Sequence, residues 1–192
     1  MPNWCETNYT LTGERKALES VYELMRGLED REKPEIENDF GTTWLGCLVH
    51  ALGHDWQNIS CRGSWTNLTL KGDTLTFTTW SAWTPPTDVV DLIQQKFPEI
   101  DYFYYSEEPG NCLYETNDIE GKYYPFRYVL EYTRNEEWYM GQYTTSESLL
   151  KAINQQTGKH FRNINEAKHY SDTLRHSSDA DDYFVIHKID LC

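Results

Sequence analysis

The chain has 192 residues, 39% of them apolar and 15% aromatic, enough for a sizeable core in one domain or in one domain with an appended segment. Its 31 acids against 17 bases leave a net charge of −14, which opposes direct binding to nucleic acid or anionic lipid, because each phosphate contact calls for a Lys or Arg. Cys5, Cys47, Cys61, Cys112 and Cys192 are odd in number and scattered, and no apolar run approaches a membrane span, so the expectation is a cytoplasmic protein without a disulfide framework.

In chain order, residues 8–12 alternate polar and apolar as a half-buried strand and stop at Gly13. Leu18, Val21, Tyr22, Met25 and Leu28 then recur at helical spacing and predict an amphipathic helix, which the charged run ending in Pro34 terminates. Residues 35–63 show little periodicity and read as an inserted helix-and-loop excursion, with a short buried helix near residues 44–52. Residues 64–86 are the stretch around which the chain is organised. Two threonine-rich alternating runs flank Gly72-Asp73, the glycine-first signature of a tight hairpin. A continuous register from that turn sets Leu70 opposite Leu75 and Leu68 opposite Phe77 on one face, with Trp65–Trp80, Asn67–Thr78 and Thr69–Thr76 on the other. Pro85 and Pro86 introduce a second helix buried through Val89, Val90, Ile93 and Phe97. An aromatic strand at residues 102–106, a turn at Pro109-Gly110-Asn111 and a short strand at residues 112–116 complete the first part.

The order strand, helix, strand, strand, helix, strand predicts an α+β, ferredoxin-like (βαββαβ) antiparallel sheet with two helices on one face. It occupies residues 1–117, with the insertion at 35–63, and holds 8 bases and 19 acids, a net −11. Residues 118–192 carry a net −3 and read as a strand-strand-helix-helix-strand segment that extends or covers the sheet. Its strands are expected at residues 123–133, 137–144 and 183–189, the first pair turning at Asn135-Glu136. Its helices are marked by Thr145 and Gly158 for one, and for the other by Asn163-x-x-Glu166 ahead of a run to about Leu174. Asp179 to Asp182 precede the last strand.

Three pieces of the first part resemble a known family. The start Met1-Pro2-Asn3-Trp4-Cys5, the segment Phe40-Gly41-Thr42-Thr43-Trp44 and the hairpin exit Trp80-Ser81-Ala82-Trp83-Thr84-Pro85-Pro86 are similar to elements of the YubB-type plasmid and phage proteins. Thr7 and Thr43 depart from the Asn and Lys that family members often carry there. The resemblance implies a ferredoxin-like domain and a mobile-element setting, without an established activity.

Three constellations bear on function. Trp65, Trp80 and Trp83 share the open sheet face in the predicted register and suggest a partner-binding surface; with Lys71 as the nearby cation, a nucleic-acid stacking platform is disfavoured against a protein partner or self-association. Cys47, His50, His54 and Cys61 form the one ligand-like cluster, in a spacing that matches no familiar zinc site. Glu35, Glu37 and Asp39, and separately Glu107, Glu108 and Glu115, offer paired carboxylates for acid–base work or a divalent ion, with no nucleophile in view. His160, His169, His176 and His187 are dispersed and receive no role. The expectation is a non-enzymatic protein-binding module without a cofactor; the alternatives are an acidic DNA mimic acting on a DNA-binding enzyme and a metal-binding or metal-dependent protein.

Overall fold

The computed structural model describes residues 3–134, 137–175 and 183–192; Asn135-Glu136, His176 and the acidic run at 179–182 lie outside them, as do the first two residues of the start motif. The chain is mixed α+β and falls into two compact units, Met1–Asp118 and Ile119–Cys192.

In the first unit the elements are β1 (Trp4–Gly13), α1 (Arg15–Glu29), α2 (Leu45–Ala51), β2 (Gly63–Lys71), β3 (Thr74–Ala82), α3 (Thr87–Lys96), β4 (Ile100–Glu108) and β5 (Leu113–Thr116). These strands lie in the order β2-β3-β1-β4-β5 with antiparallel neighbours throughout. Alternation decides the faces. Tyr9 and Leu11 of β1 pair with Phe77 and Leu75 of β3 and with Tyr104 and Tyr102 of β4, forming an aromatic and aliphatic floor. Over it α1 lays Ala17, Leu18, Val21, Met25 and Leu28, and α3 lays Val89, Val90, Leu92 and Ile93, all buried. The last position of β1 takes glycine: at φ 150° a Cβ on residue 13 would stand 2.2 Å from the Glu99 carbonyl oxygen.

The hairpin turns at Gly72-Asp73 as expected, with Gly72 at φ 56° and Lys71 facing Thr74. Its register does not run on unbroken. Between Thr69↔Thr76 and Thr66↔Thr78 two residues, Asn67 and Leu68, face Phe77 alone, and Asn67 takes φ 58°. This bulge takes one residue left-handed, a conformation that asparagine tolerates better than most side chains. The extra residue moves Trp65 opposite Thr79 rather than Trp80 and turns its indole under α1, where Nε1 donates to Glu29 Oε1 at 3.0 Å. Trp65, expected on the open face, is 0% exposed and belongs to the core.

The insertion contains α2 and a single 3-10 turn at Trp56–Asn58. Leu45, Cys47, Leu48 and Val49 are buried. Gly53, at φ 97°, closes α2 in a Schellman arrangement: its N–H donates to His50 O at 2.9 Å and that of His54 to Val49 O at 3.1 Å.

The second unit comprises β6 (Tyr128–Arg134), β7 (Glu137–Tyr143), α4 (Ser146–Thr157), α5 (Ile164–Arg175) and β8 (Tyr183–Lys188), with strand order β7-β6-β8, all antiparallel. Leu130 and Ile186 meet Leu149, Ile153, Phe161 and Ala167 of the helical layer in its core. The first strand starts at Tyr128, later than expected. Pro125 offers no N–H to a ladder, and the Arg127 guanidinium donates to the carbonyls of Ile119, Tyr124 and Phe126, holding residues 119–126 as a loop. Asn163 caps α5 through Glu166 N at 2.9 Å, while the Glu166 carboxylate accepts from Arg162 N at 2.8 Å.

Candidate functional site

The sheet face turned away from the helices carries Thr66, Thr69, Thr76, Thr78 and Trp80 of the hairpin, with Trp4, Glu6, Asn8 and Thr10 of β1; Thr10 and Thr78 at its middle are buried. At one end of this face Trp4, Trp80 and Trp83 are 40%, 43% and 48% exposed. Trp4 pairs with Ala82 and Trp80 with Glu6, so the two indoles rise from neighbouring strands two residues apart in register. Their row runs Ser64, Trp80, Glu6, Glu107 from β2 to β4, which sets two carboxylates directly opposite each other beside an exposed tryptophan. Like charges so placed destabilise a sheet.

Trp83 sits just past β3 in an uncommon backbone state. Its φ is 74°, and Thr84 N donates to Ala82 O at 3.0 Å across it, the i to i+2 bond of a γ-turn. A bulky side chain in this conformation carries about 1–3 kcal/mol of strain. The turn is pinned by Trp83 N donating to Asn3 O at 3.0 Å and by the Ser81 hydroxyl donating to Thr84 O at 2.7 Å. The hairpin exit signals Trp80 and Trp83 in the sequence. Trp4 lies more than seventy residues away along the chain, and only the register of β1 on β3 brings it to them.

The cysteine–histidine cluster does not assemble. Cys47 and Cys61 are buried while His50 and His54 point to solvent, and among the described residues no three His, Cys, Asp or Glu side chains are placed to hold a metal ion. Cys47 faces the core because α2 buries its one apolar stripe, and His54 has already left the helix. The Cys61 thiol donates to Trp56 O at 3.6 Å, and burial pushes its pKa up, as does neighbouring Cys47.

Four of the six acidic candidates hold structure, while Glu37 and Asp39 are exposed. Glu108 is buried and accepts from Gly110 N at 2.9 Å and Asn111 N at 2.8 Å, capping a 3-10 turn. Glu107 accepts from Tyr105 Oη at 3.0 Å, Glu115 accepts from Tyr104 Oη at 3.0 Å, and Glu35 pairs with Arg31 at 3.4 Å. Of the histidines, His187 lies 3.1 Å from Glu131, and His160 and His169 are exposed.

Two further arrangements carry no signal in the sequence. Cys5 Sγ lies 3.0 Å from Ser106 Oγ, which is 2.8 Å from Thr7 Oγ1, all under the helical layer. Burial raises the Cys5 pKa over the opposing hydroxyl contacts, so the group is a neutral thiol and not a nucleophile. The second is a cleft of about 320 Å³ in the insertion, walled by Phe40, Trp44, Trp56, Ile59, Cys61 and Arg62. There the buried indole N–H of Trp44 has no hydrogen-bond partner, a cost of about 1–3 kcal/mol for a buried donor.

The chain matches no family model, no curated protein and no solved structure. Its own surfaces are therefore the ground for a functional reading. Among the described residues no helix is long and apolar enough to cross a membrane.

Proposed function

We propose that the first unit is a ferredoxin-like protein-binding module of YubB type, belonging to a mobile-element setting, which grips a partner protein with Trp4, Trp80 and Trp83. The fold part of this reading is supported by the β2-β3-β1-β4 order, which read backwards is the 4-1-3-2 order of a split βαβ sheet, and by α1 and α3 on one face. The observation that carries the binding part is Trp83, an indole held nearly half exposed in a strained turn beside two more exposed tryptophans. Backbone strain of this kind concentrates where a side chain must be presented, and tryptophan is the residue most enriched among binding hot spots.

The partner's chemistry is set by the row next to the indoles. A Lys or Arg delivered beside Glu6 and Glu107 would meet carboxylates on adjacent strands and would lie beside the Trp80 ring, a cation–π position. A second copy of this acidic chain would instead add its own carboxylates, so the partner is a different, basic protein. DNA mimicry has less support, because Arg15, Arg26 and Arg31 pair with Glu19, with Glu29 and Asp30, and with Glu35, which intersperses cations among the acids of α1 and the segment after it. The test is affinity capture from native lysate with mass spectrometry, using the wild type and the Trp80→Ala, Trp83→Ala double variant. A basic protein captured by the wild type and lost from the variant, at an unchanged thermal melt, is the expected outcome. Equal capture by both proteins overturns the reading, and sedimentation showing a wild-type dimer replaces it with self-association.

A further inference from the structure

The cleft in the insertion adjoins the tryptophan face, since Trp4 meets its Phe40 wall edge to face with ring centroids 6.3 Å apart, and it is a second candidate site, for a small molecule. Its volume of about 320 Å³ lies at the lower end of the roughly 300–1,000 Å³ of ligand pockets. Its walls are fixed in place. Trp44 and Trp56 meet edge to face with ring centroids 5.0 Å apart. Gly46 leaves the space that the Trp44 ring fills, since a Cβ there would stand 2.4 Å from two of the ring carbons. Trp56 is carried on a 3-10 turn that Asp55 caps through Gln57 N at 3.0 Å, and the Cys61 thiol ties the Trp56 carbonyl from the other side. A pocket whose aromatic walls are held before a ligand arrives loses little freedom on binding.

The polar groups define the ligand. Arg62 lines the cleft and is exposed, and among the described residues its guanidinium makes no ion pair and no hydrogen bond. In a unit holding 20 acids, Arg15, Arg26 and Arg31 all find carboxylates, whereas the arginine at the cleft pairs with none. We propose that this cleft binds a small aromatic carboxylate, its ring packed against Trp44, Trp56 and Phe40 and its carboxylate on Arg62. A planar guanidinium suits a carboxylate through two parallel hydrogen bonds, and the aromatic walls offer faces and edges to a flat ring.

The test uses the full chain and three probes of one shape: 2-naphthoate, the neutral 2-naphthalenemethanol and the cationic 2-naphthylmethylammonium, titrated by tryptophan fluorescence and calorimetry. Naphthoate binds saturably, the alcohol about tenfold more weakly and the ammonium more weakly still, as the loss of a charge-assisted contact at a partly exposed site predicts. Arg62→Gln, a change at an exposed side chain, removes the preference for naphthoate over the alcohol, and Trp56→Ala weakens both. Absence of saturable naphthoate binding, equal affinity for the anion and the alcohol, or an Arg62→Gln titration identical to wild type overturns the assignment. Far-UV circular dichroism of each variant distinguishes a lost site from a lost fold.

Discussion

At the scale of single residues, Trp83 and Tyr102 show the chain's chemistry placed against its stability. Glycine at position 83 keeps the N–H that bonds Asn3 and adopts positive φ freely, so Trp83→Gly holds or raises stability by about 1 kcal/mol in denaturant melts while abolishing partner capture. A loss of stability larger than that would make the indole a packing residue. Tyr102 donates to Asp91 Oδ1 at 2.6 Å, tying β4 to α3, and burial first, then the Asp91 hydrogen bond and charge, push its phenol well above the ordinary range. The sign comes from the neutral form being favoured by the fold. Its contribution is fully present below the unfolded value near 10 and is lost as pH rises through the higher folded value. Tyr102→Phe therefore shows a shallower fall in stability above about pH 10 in alkaline unfolding titrations, with buried Tyr9, raised in the same direction by desolvation, supplying the slope that remains. An unchanged alkaline limb would place the effect elsewhere.

At the scale of elements, local chemistry was readable wherever a cap or a turn sets the backbone. Thr145 accepts from Ser148 N at 3.2 Å and Ser148 Oγ accepts from Thr145 N at 3.3 Å, a reciprocal box that opens α4, and Gly158 ends it at φ 66°. Thr145→Ala costs about 1 kcal/mol by chemical denaturation, the usual worth of an N-cap, whereas Thr145→Asp costs a few tenths at most. Similar losses in the two variants would argue against the cap. The hairpin shows where such reading stops. Gly72-Asp73 marks its turn, but an asparagine in a threonine-rich run tolerates a left-handed bulge without requiring one, so counting in twos from the turn carried Trp65 to the wrong face. The aromatic cleft was hidden for a related reason: Phe40, Trp44, Trp56 and Arg62 come from loops and the flanks of a seven-residue helix, where periodicity says little about which side chains converge.

At the scale of the whole molecule, the excess of acid is accommodated by phenols as well as by cations. Tyr102, Tyr104, Tyr105 and Tyr139 each donate to a carboxylate, of Asp91, Glu115, Glu107 and Glu137. A phenol satisfies the lone pairs of an acid without cancelling its charge, so the repulsion of a net −14 remains. Thermal stability accordingly rises between about 0.02 and 0.2 M sodium chloride, as the Debye length shortens to less than about 10 Å. A melting temperature indifferent to salt would show that the charges are too dispersed to matter. The composition made the excess visible; Tyr105–Glu107 and Tyr139–Glu137 lie two residues apart on one strand, whereas Tyr102–Asp91 joins β4 to α3 and Tyr104–Glu115 joins β4 to β5, pairings between segments that no short motif records. The bulge in β2 has one more effect. Because Asn67 and Leu68 share a single opposite number, deleting either would straighten the strand without a change of face: Thr66 would still meet Thr78, Trp65 would still meet Thr79, and α1 would keep the indole beneath its last turn.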